Sequence, residues 1–435
     1  MKQTIARKDD LTGGWLLTAD YYGTPMYMGL ELEQEGEKLL GKFRSRKLEG
    51  SVKERAFDFA TKDEEGNTVE VNGTVQDGNL SGSVIATHAG AASHPVCYHF
   101  TGVIALRRPR RLPQRHKFIP TVFYRQFSGF SEPVLTVAPG DTIQTTTVDA
   151  LGNDANGVRR VMGGNPQTGP FYVESAFPGD TLVVHLVRLR PNREWAKSND
   201  GIVERGLNSE MAVKMKDGGK SVLWHLDLKK GVATPEKPGE NLAKYSTPIR
   251  PMLGCMAVAP NPAQAAPGTS DSGSWGGNMD FNEIVEGATV YLPVWNPGAL
   301  LYIGDGHAAQ GDGELNGNAL ETSMDVEFRV DVIPGKRIPS VRVESATHII
   351  AMGLSGSLDD AFRAATANMG HWLTEDYKLT PSEIAQVLGT AAEYRVSEVA
   401  DRNAGIVLKI NKCFLQMLST SPTIMMLSQQ MTANP

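Results

Sequence analysis

Between residues 11 and 106 apolar and polar residues alternate in short runs: GWLLTADYY, MYMGLELEQ, KLLGKFRS, RAFDFATK, TVEVNGTV, GSVIATH and YHFTGVIAL. The turn signals EEGN and QDGN separate several of them. Successive side chains of an extended chain point to opposite faces, so runs of this kind bury one face and leave the other in water. Tight polar turns between them make neighbouring strands antiparallel. The pattern predicts an up-and-down antiparallel unit over residues 1–106, a small barrel or sandwich. The basic run RRPRRLPQRHK, Arg107 to Lys117, follows with two prolines. It reads as a solvated linker (residues 107–117) rather than an anion site.

From residue 118 onward strand character continues with longer segments. VAPGDTIQTTTV and AFPGDTLVVHLVRL share a Pro-Gly pair suited to the centre of a type II turn, because Pro fixes φ and Gly accepts positive φ. Asp141 and Asp180 then read as polar hairpin tips. VEGATVYLPVW has a similar outline, a weak hint of an internal β repeat. The period changes near the C-terminus, where SLDDAFRAATANMGHWLTEDY and TPSEIAQVLGTAAEYRVSEVA carry apolar residues at helical spacing. Thr380-Pro381-Ser382-Glu383 is a good helix start, and GIVLKINKCFL reads as a strand. Residues 416–435 are expected to be a loosely held tail. The fold class expected is mainly β with some α (α+β): a small antiparallel N-terminal domain, then a larger β-rich domain over residues 118–415 with C-terminal helices.

Composition removes several functions. Lys+Arg 43 against Asp+Glu 49 leaves a net charge of −6, without the positive field that nucleic acid or an anionic membrane requires. Cys97, Cys255 and Cys413 match no metal spacing and read as small buried hydrophobes in a reduced protein. No stretch is long and apolar enough for a membrane span, and MKQTIARKDDLTGGW lacks the apolar core of a signal peptide. The expectation is cytoplasmic. A cleaved export signal replaced by methionine would leave the same trace, which keeps a periplasmic or secreted protein open.

Four polar clusters carry candidate chemistry. GDGHAAQGDGELNG, Gly304 to Gly317, offers Asp305, His307, Gln310, Asp312 and Glu314 directly after a long apolar run. Histidine among carboxylates binds a metal or acts as a base, and Asp312 and Glu314 would point the same way in an extended segment. GSWGGNMDFNEIVEG places Asn278 and Asp280 after Gly276-Gly277, where the backbone can approach a neighbour; an Asx turn opening a helix-like FNEIVE explains it equally well. TTTVDALGNDANGV has Asp149, Asn153, Asp154 and Asn156 in a vague calcium-loop outline without EF-hand spacing. GGNPQTGPFYVESAFPGD contains Asn165 and, in a strand-like run, Glu174. There is no G-x-S-x-G, GK[ST], H-E-x-x-H or CxxC motif. The PGDT turn occurs in multicopper oxidases, but their closely spaced Cys, His and Met ligands are missing.

Taken together, GGNPQTGPFYVESAFPGDTL, PMLGCMAVAP, WGGNMDFNEIVEGATVYLPV and GALLYIGDGHAAQGDGELNGNALE resemble the acetamidase/formamidase family. The resemblance implies hydrolysis of a short aliphatic amide, formamide or acetamide, to the carboxylate and ammonia. It also implies a β-rich fold, a divalent metal (zinc or calcium) and a homo-oligomer. Ser175 stands where the family usually has glycine, and the domain 1–106 is absent from its simplest members. Amide hydrolysis needs an activated water, a polarised carbonyl and a proton for the leaving ammonia. Without a nucleophile elbow, water activated by a metal or a carboxylate is the economical route. His307, Asp280 and Asp149 are the expected metal ligands. Glu314, Asp312, Asn278 and Gln310 are the expected catalytic groups, with Glu314 as proton shuttle and the two amides orienting the carbonyl. Gly277, Asn165 and Glu174 are the expected substrate-binding residues. Two readings compete: a non-catalytic small-ligand-binding β protein on the same scaffold, and an amidase for another small polar amide.

Overall fold

The structure, a computed structural model, describes residues 10–43, 46–91, 94–105 and 111–418. Eight antiparallel strands between Gly13 and Ile104 close into a barrel, sealed where Gly13–Tyr21 meets Val96–Ile104 with Trp15 opposite Ile104 and Ala19 opposite Phe100. The alternation read in the sequence is the barrel's inside and outside: in Ala56–Lys62, Phe57, Phe59 and Thr61 are buried and the four residues between and beside them are exposed. Leu17, Leu30, Phe43, Phe59, Val71 and Phe100 fill the interior as one apolar cluster. Of the two architectures expected, closure selects the barrel, which leaves no unpaired edge strand.

The remaining strands form two sheets. One runs from the edge strand Thr247–Pro248 through Val232–Pro235, Ser221–Asp227, Trp195–Asn199, Glu321–Thr322, Leu301–His307 and Met252–Ala257 to Gly276–Asn278 and Ser272–Gly273. The other has nine strands, with Thr181–Pro191 and Met324–Ile333 near its centre and Ala404–Asn411 towards one edge. Leu253, Met256 and Ile303 of the first sheet pack with Leu182, Val184, Phe328 and Val330 of the second in a single core. The far side of the second sheet is covered by helix Leu358–Tyr377. Ile350, Met352 and Val407 therefore face the sheet-to-sheet core, while Ile349, Ala351 and Leu408 pack on Ala361, Ala365 and Met369. Thr380 caps helix Pro381–Ala391 with a full capping box, its side chain receiving Glu383 N–H while Glu383 returns to Thr380 N–H. Among the described residues no helix is long and apolar enough to cross a membrane.

Several expectations are corrected. The expected solvated linker is tied down at its C-terminal end: Arg115–Lys117 is a strand paired in parallel with Thr142–Thr146. Residues 107–110 of that segment lie outside the described residues. Asp141 is fully buried rather than an exposed hairpin tip. It accepts hydrogen bonds from Arg111 and from the N–H groups of Gln114 (2.7 Å) and Ala138 (2.9 Å), with His116 Nε2 at 2.8 Å. Asp180 is likewise buried and receives Phe177 N–H and Gly335 N–H. FNEIVE is a series of turns with a single bridge from Val285 to Met252, not a helix. EYRVSE is strand Glu393–Glu398, because pairing with Ala404–Asn411 outweighs its helical spacing. GIVLKINKCFL is a strand only to Asn411, after which Lys412–Leu415 is a short helix. Cys97 and Cys413 are exposed; Cys255 alone of the three is buried. Residues 419–435 of the expected tail lie outside the described residues.

The Asp141 knot has a pH signature. Burial works to raise its pKa, but Arg111, the two backbone N–H groups and His116 outweigh burial and hold the carboxyl well below the usual range. A depressed folded pKa means stability that is complete above the unfolded value of about 4 and is lost as the pH falls through the folded one. Asp141→Asn is expected to cost about 2 kcal/mol at neutral pH. It should also flatten the loss of stability on acidification below about pH 4, checked by urea unfolding across pH.

Candidate active site

The polar cluster after strand Leu301–His307 is built by register. His307 ends that central strand, with Met252 opposite it on one side and Glu321 opposite it on the other. Asp305 lies two residues back, and Asp280 follows strand Gly276–Asn278, whose Asn278 pairs with Cys255. Met279 and Asp280 N–H both bond to Gly254 O (2.9 and 3.1 Å), which seats Asp280 over the neighbouring strand. A Cβ on Gly254 would lie 2.3 Å from Asp280 Oδ1 and 2.5 Å from Asp305 Oδ2, so only glycine lets these two carboxylates share the space. The end of the second sheet adds Glu398 and Asp401, joined to the first by a parallel bridge between Gly313 and Glu398.

The result is a buried centre of one histidine and six carboxylates: Asp280, Asp305, Glu314, Glu321, Glu398 and Asp401. Donor atoms lie within 4.8 Å of one another in three groups: Asp280, His307 and Glu314; Asp305, His307 and Glu321; and Asp280, Glu398 and Asp401. His307 is entirely buried, with Nε2 3.2 Å from Glu321 Oε1 and 3.4 Å from Asp305 Oδ1, and Nδ1 3.9 Å from Asp280 Oδ1. Asp280 Oδ1, Asp305 Oδ1, His307 Nε2, Glu321 Oε2 and Glu398 Oε1 are buried and take no hydrogen bond.

Hydrogen-bond chemistry fixes the imidazole. Gln310 Nε2 donates to the backbone oxygens of Asp280 and Ser397, which only accept. Its Oε1 therefore faces His307 Nδ1 at 2.8 Å and receives the Nδ1 proton. Nε2 is left pointing at two carboxylates. A lone pair facing anions is repulsive, so that position demands a proton or a cation.

The titrations express the same crowding. Burial and then Glu314, Asp305 and Asp401 push Asp280 well above the ordinary carboxylate range. At Glu314, Glu321, Glu398 and Asp401 burial leads, joined by neighbouring carboxylates and opposed where His307 is near. Glu314 is pushed up to about 8, Glu321 to about 7, Glu398 to about 8 and Asp401 to about 6. Burial would lower His307, but Glu321 and Asp305 overcome it and raise its pKa well above the usual value.

The family model of the acetamidase/formamidase family matches residues 239–351, which contain Asp280, Asp305, His307, Glu314 and Glu321. The crystal structure of a recombinant acetamidase/formamidase, assigned from sequence in Thermoanaerobacter tengcongensis, superposes with a TM-score of 0.62 at 28% identity. That likeness covers 71% of this chain and 99% of the other. Residues 239–351 of this chain are similar to the acetamidase/formamidase family, and its fold is similar to that of the solved relative. Among curated relatives, a provisionally named formamidase of Schizosaccharomyces pombe is 29% identical over 34% of this chain and 47% of its own length. An acetamidase of Mycolicibacterium smegmatis is 26% identical over 46% of this chain and 63% of its own. The chain thus spans between about half and two-thirds of these curated relatives.

Within this acetamidase/formamidase fold the expected site residues separate. His307, Asp280 and Glu314 meet in the centre, and Asn278 borders it. Asp312 does not: Gly313 at φ +84° and Glu314 at φ +48° break the extended geometry, turning Glu314 inward and Asp312 outward to Arg395 and Asn282. Asp149 is spent on Arg193 (2.8 Å) and on the N–H groups of Leu151 and Asn153, so it is no ligand. Asp154 likewise receives Asn156 and Val158 N–H and pairs with Arg160, which accounts for the calcium-like outline. Asn278 and Gln310 have no free N–H for a carbonyl, since Asn278 donates to Asp280 (2.7 Å) and Asp401 (2.6 Å). Gly277, at φ +103°, serves a close backbone approach: a Cβ there would lie 2.2 Å from Asp271 O. Asn165 is buried in hydrogen bonds to Asn278, Thr269 and Gln167. Glu174 acts on Arg111 and Tyr172 instead of the centre.

Sequence reasoning omitted Glu321, Glu398, Asp401 and Gln167 from the site and left Asp305 without a role. Asp305 and Glu321 had a local signal, one inside the polar loop and the other closing it. Glu398 and Asp401 had none, because they arrive from the end of strand Glu393–Glu398 of the other sheet and the bend that follows it. Cys255 is no nucleophile: burial, then Asp305, Asp280 and Asp401, push its thiol well up. Iodoacetamide is expected to add to Cys97 and Cys413 in the native protein and to Cys255 only after unfolding, read by peptide mass spectrometry.

Proposed function

We propose that the chain hydrolyses a short aliphatic amide, formamide or acetamide, to the carboxylate and ammonia in the buried His307 centre. The observation that carries the reading is His307 Nε2, aimed by the Gln310 contact at Asp305 (3.4 Å) and Glu321 (3.2 Å) and without a hydrogen bond of good geometry. The donors fit a divalent cation. Asp305, His307 and Glu321 join one imidazole to carboxylates, the set that suits zinc, whereas Asp280, Glu398 and Asp401 offer oxygen alone, as calcium prefers. A divalent metal, when bound, polarises a carbonyl and lowers the pKa of water.

The chain's own groups supply the rest. The Glu314 carboxyl has Oε1 fixed by Ala319 N–H at 3.0 Å and takes no other hydrogen bond from the described residues. Its second oxygen is free to accept a proton from attacking water and pass it to the departing nitrogen. The six centre carboxylates are buried or nearly so, which shields the centre from bulk water. The amides of Asn278 and Gln310 are fully engaged and offer no N–H to a carbonyl, so a cation held by Asp305, His307 and Glu321 would supply that polarisation.

Ammonia release from formamide, acetamide and larger amides tests the reading, with and without chelation. Release from the small amides, lost on chelation and restored by zinc, is expected. Release that survives complete removal of metal would leave carboxylate-activated water as the mechanism. Absence of release from every amide would favour the small-ligand-binding protein.

A further inference from the structure

Three buried carboxamides stand nose to tail beside the centre. Gln167 Nε2 donates to Asn165 O (2.9 Å) and to Asn165 Oδ1 (2.9 Å). Asn165 Nδ2 donates to Thr269 O (3.3 Å) and to Asn278 Oδ1. Asn278 Nδ2 donates to Asp280 Oδ2 (2.7 Å) and Asp401 Oδ2 (2.6 Å). An amide can ordinarily turn over and exchange its oxygen and nitrogen. Here acceptor-only partners forbid it at each link: a backbone oxygen for Gln167, another for Asn165, and two carboxylates for Asn278. Gln167 is fully buried, and Asn165 and Asn278 are 5% and 6% exposed, so water cannot substitute for a lost link. Asn165 is held at φ +56°, a conformation that asparagine tolerates better than most residues.

We propose that Asn165 and Gln167 are positioning residues that act through Asn278. The relay presents both Asn278 N–H groups to Asp280 and Asp401, clamping together two carboxylates that arrive from different sheets. The proposal rests on the amide-hydrolase reading of the centre, which makes this spacing matter for turnover. Neither side chain hydrogen-bonds to a carboxylate of the centre, so their effect is expected to pass through the Asn278 amide. Asn165→Asp replaces the donor to Asn278 Oδ1 by an oxygen, at nearly equal size. Gln167→Met removes the first link without adding charge.

The test measures formamide turnover for both variants, alone and combined with Asn278→Ala, together with crystal structures of the single variants. Each single variant is expected to lower kcat about 10- to 100-fold, as loss of outer partners of ligating groups does, with KM held within about threefold. In the Asn278→Ala background neither change should lower kcat further. An unchanged kcat, or a full further loss in that background, overturns the relay, the latter because Asn165 would then act directly. If the wild-type chain releases no ammonia, the amide-hydrolase reading fails while the relay is still decided by structure. Asn278 turned away from Asp280 and Asp401 in the variants supports it, and an undisturbed Asn278 overturns it. Should Asn165→Asp not fold, Gln167→Met carries the same comparisons.

Discussion

Replacing His307 by alanine is expected to lower ammonia release from formamide about 10³-fold, within the range that loss of an acid–base or ligating group costs. The imidazole is the one nitrogen donor in the centre and belongs to two of its three donor groups. Its loss leaves Asp305, Glu321 and Asp280 facing one another without the group that now offsets their repulsion. Zinc affinity, read by titration calorimetry, should fall with activity. Asp312→Asn is the matched control, since Asp312 is bound outside the centre by Arg395 and Asn282. Partial burial works to raise its pKa, but those two partners keep it low. Its rate should stay within about twofold of wild type, as for surface positions. If Asp312→Asn lost as much activity as His307→Ala, the centre would be placed wrongly.

The largest stability effect is expected at Arg193. Its side chain is 2% exposed and its guanidinium is paired with Asp149, itself 2% exposed, at 2.8 Å. It also donates to Trp195 O, Thr322 Oγ1, Asp154 O and Glu321 O, and lies 3.4 Å from the centroid of the Trp195 ring. Arg193→Met should cost about 3–5 kcal/mol, because it strands a buried carboxylate without its partner. The bond to Glu321 O places this knot behind a residue of the centre, so activity should fall as well. Unfolding in urea checks the first effect. Adding Asp149→Leu should recover most of the stability, since no buried charge is then left alone. A loss below about 1 kcal/mol would mean that Asp149 finds water.

Local patterns carried a large part of this protein. Alternation in residues 11 to 106 determined which side chains face inward, because period-two burial is a property of each strand by itself, while closure into a barrel rather than a sandwich did not follow from it. Thr380 and Glu383 likewise determined a helix start, since a capping box closes within four residues. His307 and Glu314 were legible for the same reason: a histidine and carboxylates interleaved with glycine signal chemistry before any fold is known. Spacing misled at Asp312 and Glu314, where two positive-φ residues send neighbours to opposite environments. It misled again at Asp149, whose buried arginine partner lies 44 residues away.

The tertiary structure alone decided which carboxylates share the centre. Glu321 stands opposite His307 through strand register, and Glu398 and Asp401 come from the other sheet. Gly254 leaves room for two carboxylates only because three segments converge on it. The sequence by itself determined the local periods, the caps and the presence of a chemically charged loop. Which buried charges must face one another depends on contacts between segments distant in the chain, and these arise from the pairing and packing of the two sheets.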